Sequence, residues 1–198
     1  RTLGTILRCI RINPIPAAST LISSLTGSGC TLDNPKPPSL SLTKLNSLSE
    51  QEFENIIGPC FEHSPWISSS VSKKRPFKSK KDLFEALTLE IKNSSSEKKL
   101  DLIRKHPDLV STKILTKHSQ NEQDSIGLGS LPLEIKEEFS QLNRKYQEKF
   151  GFPFIVCVKD VNSAMGILEQ FRERVEHDEI EQEMRIALQN IFRIGWWR

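Results

Sequence analysis

His106 stands immediately before Pro107, and a proline excludes helix at the residue preceding it. A helix anchored by Leu100 and Ile103 must therefore end at His106. An imidazole at a helix C-terminus feels a macrodipole that favours its protonated form, and a histidine held this way is a candidate for proton transfer near neutral pH. A terminating histidine that only satisfies carbonyls fits the same spacing. Ser119-x-x-Glu122-Gln123 is the second candidate. Ser-x-x-Glu is a capping-box pattern, so Ser119 is expected to start a short helix that Gly127 and Gly129 soon interrupt. The free N–H groups of such a helix end form an anion site, into which Glu122 and Gln123 would bring a carboxylate and an amide. The third is the run from Phe150 to Val158. A helix stop followed by a buried connector explains it. Irregular buried backbone needs hydrogen-bond partners, and a planar ligand rich in heteroatoms would supply some of them.

The segments that must position these groups read as helices. Ser49-x-x-Glu52 opens one carrying Phe53, Ile56 and Ile57, stopped by Gly58-Pro59. Ser79-x-x-Asp82 opens another with Leu83, Phe84, Leu87 and Ile91 on one face. A longer helix is expected over Pro132–Lys149, striped by Ile135, Phe139, Leu142 and Tyr146, with Gly151 just past its end. Ser163 caps a helix bearing Ile167, Leu168, Phe171 and Val175. A final one is striped by Ile180, Met184, Leu188, Ile191 and Ile194. Phe152–Val158 has no second strand-like run to pair with, so a sheet is not expected. The expected class is all-α: a single helical domain of about six to eight helices over 42–198, preceded by an extension over 1–41.

That extension carries Arg1, Arg8 and Arg11, many Ser, Thr, Pro and Gly, and one acidic residue, Asp33. Its composition fits an organelle transit segment or a disordered extension with no address. The whole chain has 198 residues, 27% charged and 36% hydrophobic, the balance of a globular domain, and no apolar run near the ~20 residues of a membrane-spanning helix. A net charge of +3 is modest for a nucleic-acid binder. The cluster Lys73, Lys74, Arg75, Lys78, Lys80 and Lys81 reads as a solvated linker, with a polyanion or localisation patch as the alternative. Cys9, Cys30, Cys60 and Cys157 are scattered, without zinc-site spacing, and suggest packing roles in a reducing compartment.

His106-Pro107-Asp108-Leu109, Ser119-x-x-Glu122-Gln123 and Phe150–Phe154 follow in order after Phe61-Glu62-His63-Ser64-Pro65-Trp66. Together these resemble the family of decarboxylases of 2-oxo-4-hydroxy-4-carboxy-5-ureidoimidazoline (OHCU) in urate degradation. The resemblance spans about residues 42–198. It implies an all-α homodimer that forms (S)-allantoin without metal or organic cofactor; from the modest charge and the lack of a long apolar run, no nucleic-acid or membrane partner is expected. It further implies catalytic roles for His106 and Glu122. Pro107, Ser119, Gln120, Asn121, Glu122, Gln123 and Arg198 are the implied substrate contacts, together with Phe154, Ile155, Val156, Cys157 and Val158. Two stretches depart from the family pattern: the shorter run between Pro107 and Ser119, and the terminal Gly195-Trp196-Trp197. Relatives in eukaryotes are often peroxisomal, whereas this sequence ends in Trp-Trp-Arg rather than a Ser-Lys-Leu-type tripeptide. The expected location is peroxisomal or cytoplasmic, or an organelle reached through the N-terminal extension. The competing readings are an inactive helical interaction module and a polyanion binder using Lys73–Lys81.

Overall fold

Hydroxyl side chains start most of the helices in the computed structural model, which describes residues 40–110, 115–161 and 163–198. Ser41 caps α1 (Leu42–Ser47), and Ser49 and Glu52 form a complete capping box at α2 (Glu50–Ile57). Pro65 occupies the first turn of α3 (Pro65–Ser72). Ser79 caps α4 (Lys80–Asn93), Ser95 caps α5 (Ser96–Arg104), Thr116 caps α6 (Lys117–Asp124) and Ser163 caps α8 (Ala164–Arg174). The two longest helices are α7 (Leu133–Phe150) and α9 (Ile180–Trp197). α7 stops at Gly151, whose φ of 75° is the left-handed conformation that glycine adopts without a Cβ clash.

The described residues contain nine α-helices and no strand, so the all-α expectation holds and the range of six to eight was slightly low. The additions are α1, only six residues long, and α3, which lacks a side-chain cap to announce it. No helix among the described residues is long and apolar enough to cross a membrane. The expectation for the N-terminal extension falls, but for its last two residues, outside the described residues.

The core runs through nearly all the helices, and part of it is an aromatic cluster at the junction of α7, α8 and the connector over 152–158. The Tyr146 ring meets Phe150, Phe152, Phe154 and Phe171 at centroid distances of 4.6, 5.9, 5.5 and 5.7 Å. Phe154 stacks on Phe171 at 3.9 Å. Every residue of Phe152–Val158 is buried, as an extended connector rather than a strand. Arg174 fixes its path: the guanidinium lies 4.3 Å from the Phe154 centroid and donates to the Ile155 carbonyl at 2.8 Å. Arg174 is in turn held by Glu183, a fully buried carboxylate that also accepts from the Tyr146 hydroxyl and contacts His177.

Glu183 changes the expected face of α9. Its buried residues are Glu183, Ala187, Ile191 and Ile194, while Ile180 is exposed and Met184 and Leu188 lie at the margin. A carboxylate can occupy that inward position because Arg174 neutralises it. The basic cluster is also divided. Arg75 turns inward, donating to the carbonyls of Ser72 and Leu48 with its guanidinium over Phe53. Lys74 pairs with Glu90 and Lys81 with Glu85.

Candidate active site

Just past the end of α5 the chain folds back on the helix. The His106 N–H donates to the Ile103 carbonyl at 3.1 Å, and its Nδ1 lies 2.9 Å from the Leu102 carbonyl oxygen. A carbonyl only accepts, so Nδ1 carries the proton and Nε2 of the neutral ring holds a lone pair. Nε2 is buried, and no described residue gives it a hydrogen bond. Burial pushes the imidazole down to about 4. The Leu102 bond and the charges of Glu62 and Glu122 pull it up, while Arg198 adds to the depression. The sequence expectation of a ring poised near neutrality is therefore corrected. A helix dipole contributes about 0.3–1 kcal/mol at an exposed site, less than the desolvation of a buried imidazolium.

α6 begins earlier than expected. Thr116 is the cap and receives the Ser119 N–H at 3.3 Å, so Ser119 sits within the first turn instead of opening the helix as an anion-binding end. That start places Ser119, Glu122 and Gln123 on one inward face, following the i, i+3, i+4 spacing. Gln120 and Asn121 point away: both are exposed, and the Gln120 amide bonds Asp124. Gln123 holds the loop after Pro107, accepting the Val110 N–H at 3.0 Å and donating to the Asp108 carbonyl at 3.4 Å. This support matters because Val110 has a φ of 54°, a left-handed conformation that is costly for a β-branched residue.

α9 delivers Arg198 to the same place. Its Nε and Nη2 donate to the two oxygens of Glu122 at 2.8 and 2.9 Å, a bidentate pair. Nη1 donates to Glu62 at 2.8 Å, and Nη2 also donates to the Ser119 hydroxyl at 3.2 Å. Burial opposes the charge on Arg198, but Glu122 and Glu62 outweigh it and hold the guanidinium above its ordinary value. The unusual Gly195 explains how α9 comes so close: a Cβ there would stand 3.0 Å from the Phe61 ring.

His106, Pro107, Ser119, Glu122, Gln123 and Arg198 line one hollow of about 30 Å³, the room taken by a single water. Phe154, Ile155, Val156 and Val158 form its other wall. Cys157 does not line it. Its N–H donates to Asn190 at 2.8 Å, and burial pushes its thiol up to about 12. The hollow adjoins a cleft of about 440 Å³, a size usual for small-molecule sites, and the two share His106 and Pro107. Glu62, Arg104, Lys105 and Gln147 line the cleft. The imidazole and the Glu122 carboxylate, distant by one loop in the chain, thus border one hollow.

Glu62 is the site residue to which the sequence reading assigned no role. Its carboxylate is buried and accepts from Ser119, Thr116 and Arg198. The available signal was its place between Phe61 and the His63–Trp66 stretch, since a carboxylate buried among large side chains must be paired.

The family model for OHCU decarboxylase matches residues 46–198. The 2-oxo-4-hydroxy-4-carboxy-5-ureidoimidazoline decarboxylase of Haloferax volcanii is 39% identical over 156 residues, covering 79% of this chain and 92% of the relative. The uric acid degradation bifunctional protein of Bacillus subtilis is 39% identical over 158 residues, of which this chain spans only 32%. Among solved structures, a crystal structure of (S)-allantoin synthase superposes with a TM-score of 0.65 at 28% identity, over 80% of this chain and 52% of that one. A structure of OHCU decarboxylase in the presence of (S)-allantoin shares the fold with a TM-score of 0.60 at 22% identity, over 73% of this chain and 94% of that one.

Proposed function

Since the chain belongs to the OHCU decarboxylase family, and by that membership is a carboxy-lyase, we propose that it converts OHCU to (S)-allantoin with His106 as the proton-transfer group. The observation that carries this reading is the buried lone pair of His106 Nε2, bordering the same hollow as Glu122 and Arg198.

The chemistry suits that geometry. The substrate bears a carboxylate and a hydroxyl on one ring carbon, beside a carbon joined to nitrogen by a double bond. When the bond to carbon dioxide breaks, its electron pair moves through the ring toward that nitrogen, which takes a proton. The substrate is thus its own electron sink. His106 Nε2 accepts the hydroxyl proton as the ring carbonyl forms, and a proton is delivered to the ureido-bearing carbon from one face. That facial choice fixes the handedness of the product. One proton is consumed overall, in place of the departing carboxylate. Positioned proton transfer of this kind contributes ~10²–10⁴-fold. Glu122 assists by favouring the transient imidazolium, and Arg198 orients the Glu122 carboxylate through its bidentate bonds. The apolar wall from Phe154 to Val158 excludes water from the reacting carboxylate.

The test is chiral. Freshly generated substrate is given to the protein and allantoin is followed by circular dichroism. The protein is expected to produce the (S) signal, whereas unassisted protonation of a planar intermediate gives none; equal traces with and without protein would remove the proposal. A homodimeric assembly also belongs to this reading. Sedimentation should then give twice the 22.6 kDa chain mass, and a monomer would remove that part.

A further inference from the structure

We propose that Glu62 is a positioning residue for the decarboxylation proposed above, on which this inference rests: it fixes which atoms of the pocket accept hydrogen bonds and which donate them. Its Oε1 gathers three donors, the Ser119 hydroxyl at 2.6 Å, an Arg198 Nη1–H at 2.8 Å and the Thr116 hydroxyl at 3.0 Å. An ionised carboxylate only accepts. Burial raises the Glu62 carboxyl, but the Ser119 bond and the charge and bond of Arg198 prevail and hold it below the usual range.

Each bond removes a donor from the pocket. Ser119 has one hydroxyl proton, and Glu62 takes it, so Ser119 has no donor left for a ligand and gives one of its two lone pairs to Arg198 Nη2–H. Arg198 has five N–H groups, and all five have protein acceptors. Nε and Nη2 serve Glu122, Nη2 also serves Ser119, and Nη1 serves Glu62 and, at 3.4 Å, the Pro59 carbonyl. The guanidinium therefore supplies charge and rigidity rather than a free donor. His106 contributes an acceptor at Nε2. The resulting pocket reads N–H and O–H groups, which is what a ureide with a ring hydroxyl presents. Release of the Ser119 proton and of Nη1 would turn donors toward the N–H and O–H groups that the hollow is set to accept. Glu62 also faces His106 electrostatically, together with Glu122 from α6 and Arg198 from α9, and its charge favours the imidazolium.

The test is a double-mutant cycle on the full chain with Glu62→Gln, Ser119→Ala and both together, reading kcat, KM and thermal unfolding. Gln keeps the shape but loses the charge and brings two N–H donors. Glu62→Gln is expected to lower kcat/KM about 10–100-fold, the effect of a charge-assisted hydrogen bond. In the Ser119→Ala background the same change is expected to cost less than in the wild type, because the contact the two residues share is already gone and only the Arg198 and Thr116 contacts are left to lose. The acid limb of the kcat/KM profile should also move to lower pH, since a negative charge beside His106 is gone. Should Glu62→Gln fail to fold, Glu62→Asp enters the same cycle, retaining the charge but withdrawing it by one methylene. A wild-type chain that turns nothing over removes both this inference and the function beneath it. An active wild type in which the two losses multiply, or in which Glu62→Gln stays within twofold, overturns this inference alone.

Discussion

The imidazole of His106 lies where two local forces oppose each other, a helix C-terminus that favours its charge and an enclosure that forbids it. Enclosure is the stronger, and the folded ring titrates near 4 against 6.5 for an exposed one. As pH falls below 6.5 the unfolded chain therefore takes a proton that the folded chain refuses. The stability due to a neutral His106 is present above about 6.5 and lost progressively toward 4, by at most about 3 kcal/mol. Denaturant unfolding at pH 7.5 and pH 5 should show a larger loss for the wild type than for His106→Gln. Equal losses would contradict the buried, neutral assignment. The His106-Pro107 pair was legible in sequence because proline acts on its immediate neighbour. The depth of the burial was not, because α6 and the far end of α9 help create it. Glu62 was missed for the same reason: its donors lie 54, 57 and 136 residues away.

At the scale of elements, caps and stops were the readable part. Ser49, Ser79 and Ser163 open helices where expected, and Gly151 closes α7. α6 was misread because Thr116 and Ser119 are both capping residues three apart. The choice between them is tertiary, since only the earlier start turns Ser119, Glu122 and Gln123 together toward the hollow. The stripe of α9 was misread because pattern alone does not admit a buried Glu183. Gly195, odd for a helix in sequence, is explained by the approach of α9 to Phe61. Gly195→Ala gains helix propensity of about 1 kcal/mol, which offsets much of the crowding, so Tm should change little. The new methyl displaces Phe61, the neighbour of Glu62, and loosens the grip on Arg198. The expected result is a kcat/KM lower by about 3–10-fold, in keeping with the cost of small misplacements at a reacting centre. An unaltered kcat/KM would show that this approach does not set the site.

For the whole molecule, the all-α class and the buried connector followed from helical periodicity and the lack of a partner for Phe152–Val158. What ties that connector into the fold was hidden. Nothing in the sequence singles out Arg174 or Glu183, yet with Tyr146 they join α7, α8 and α9 and hold the Ile155 carbonyl. Three distant parts of the chain then converge: the end of α5 with His106, the inward face of α6, and the last turn of α9 and its cap, Arg198. Their convergence matters only if the enclosed imidazole moves protons. The most direct measurement is the turnover of freshly generated OHCU to (S)-allantoin by His106→Gln beside wild type, with far-UV circular dichroism as the check on folding. A folded variant with kcat/KM lowered by about 100-fold or more is the expected result. A folded variant that matches wild-type turnover would contradict it.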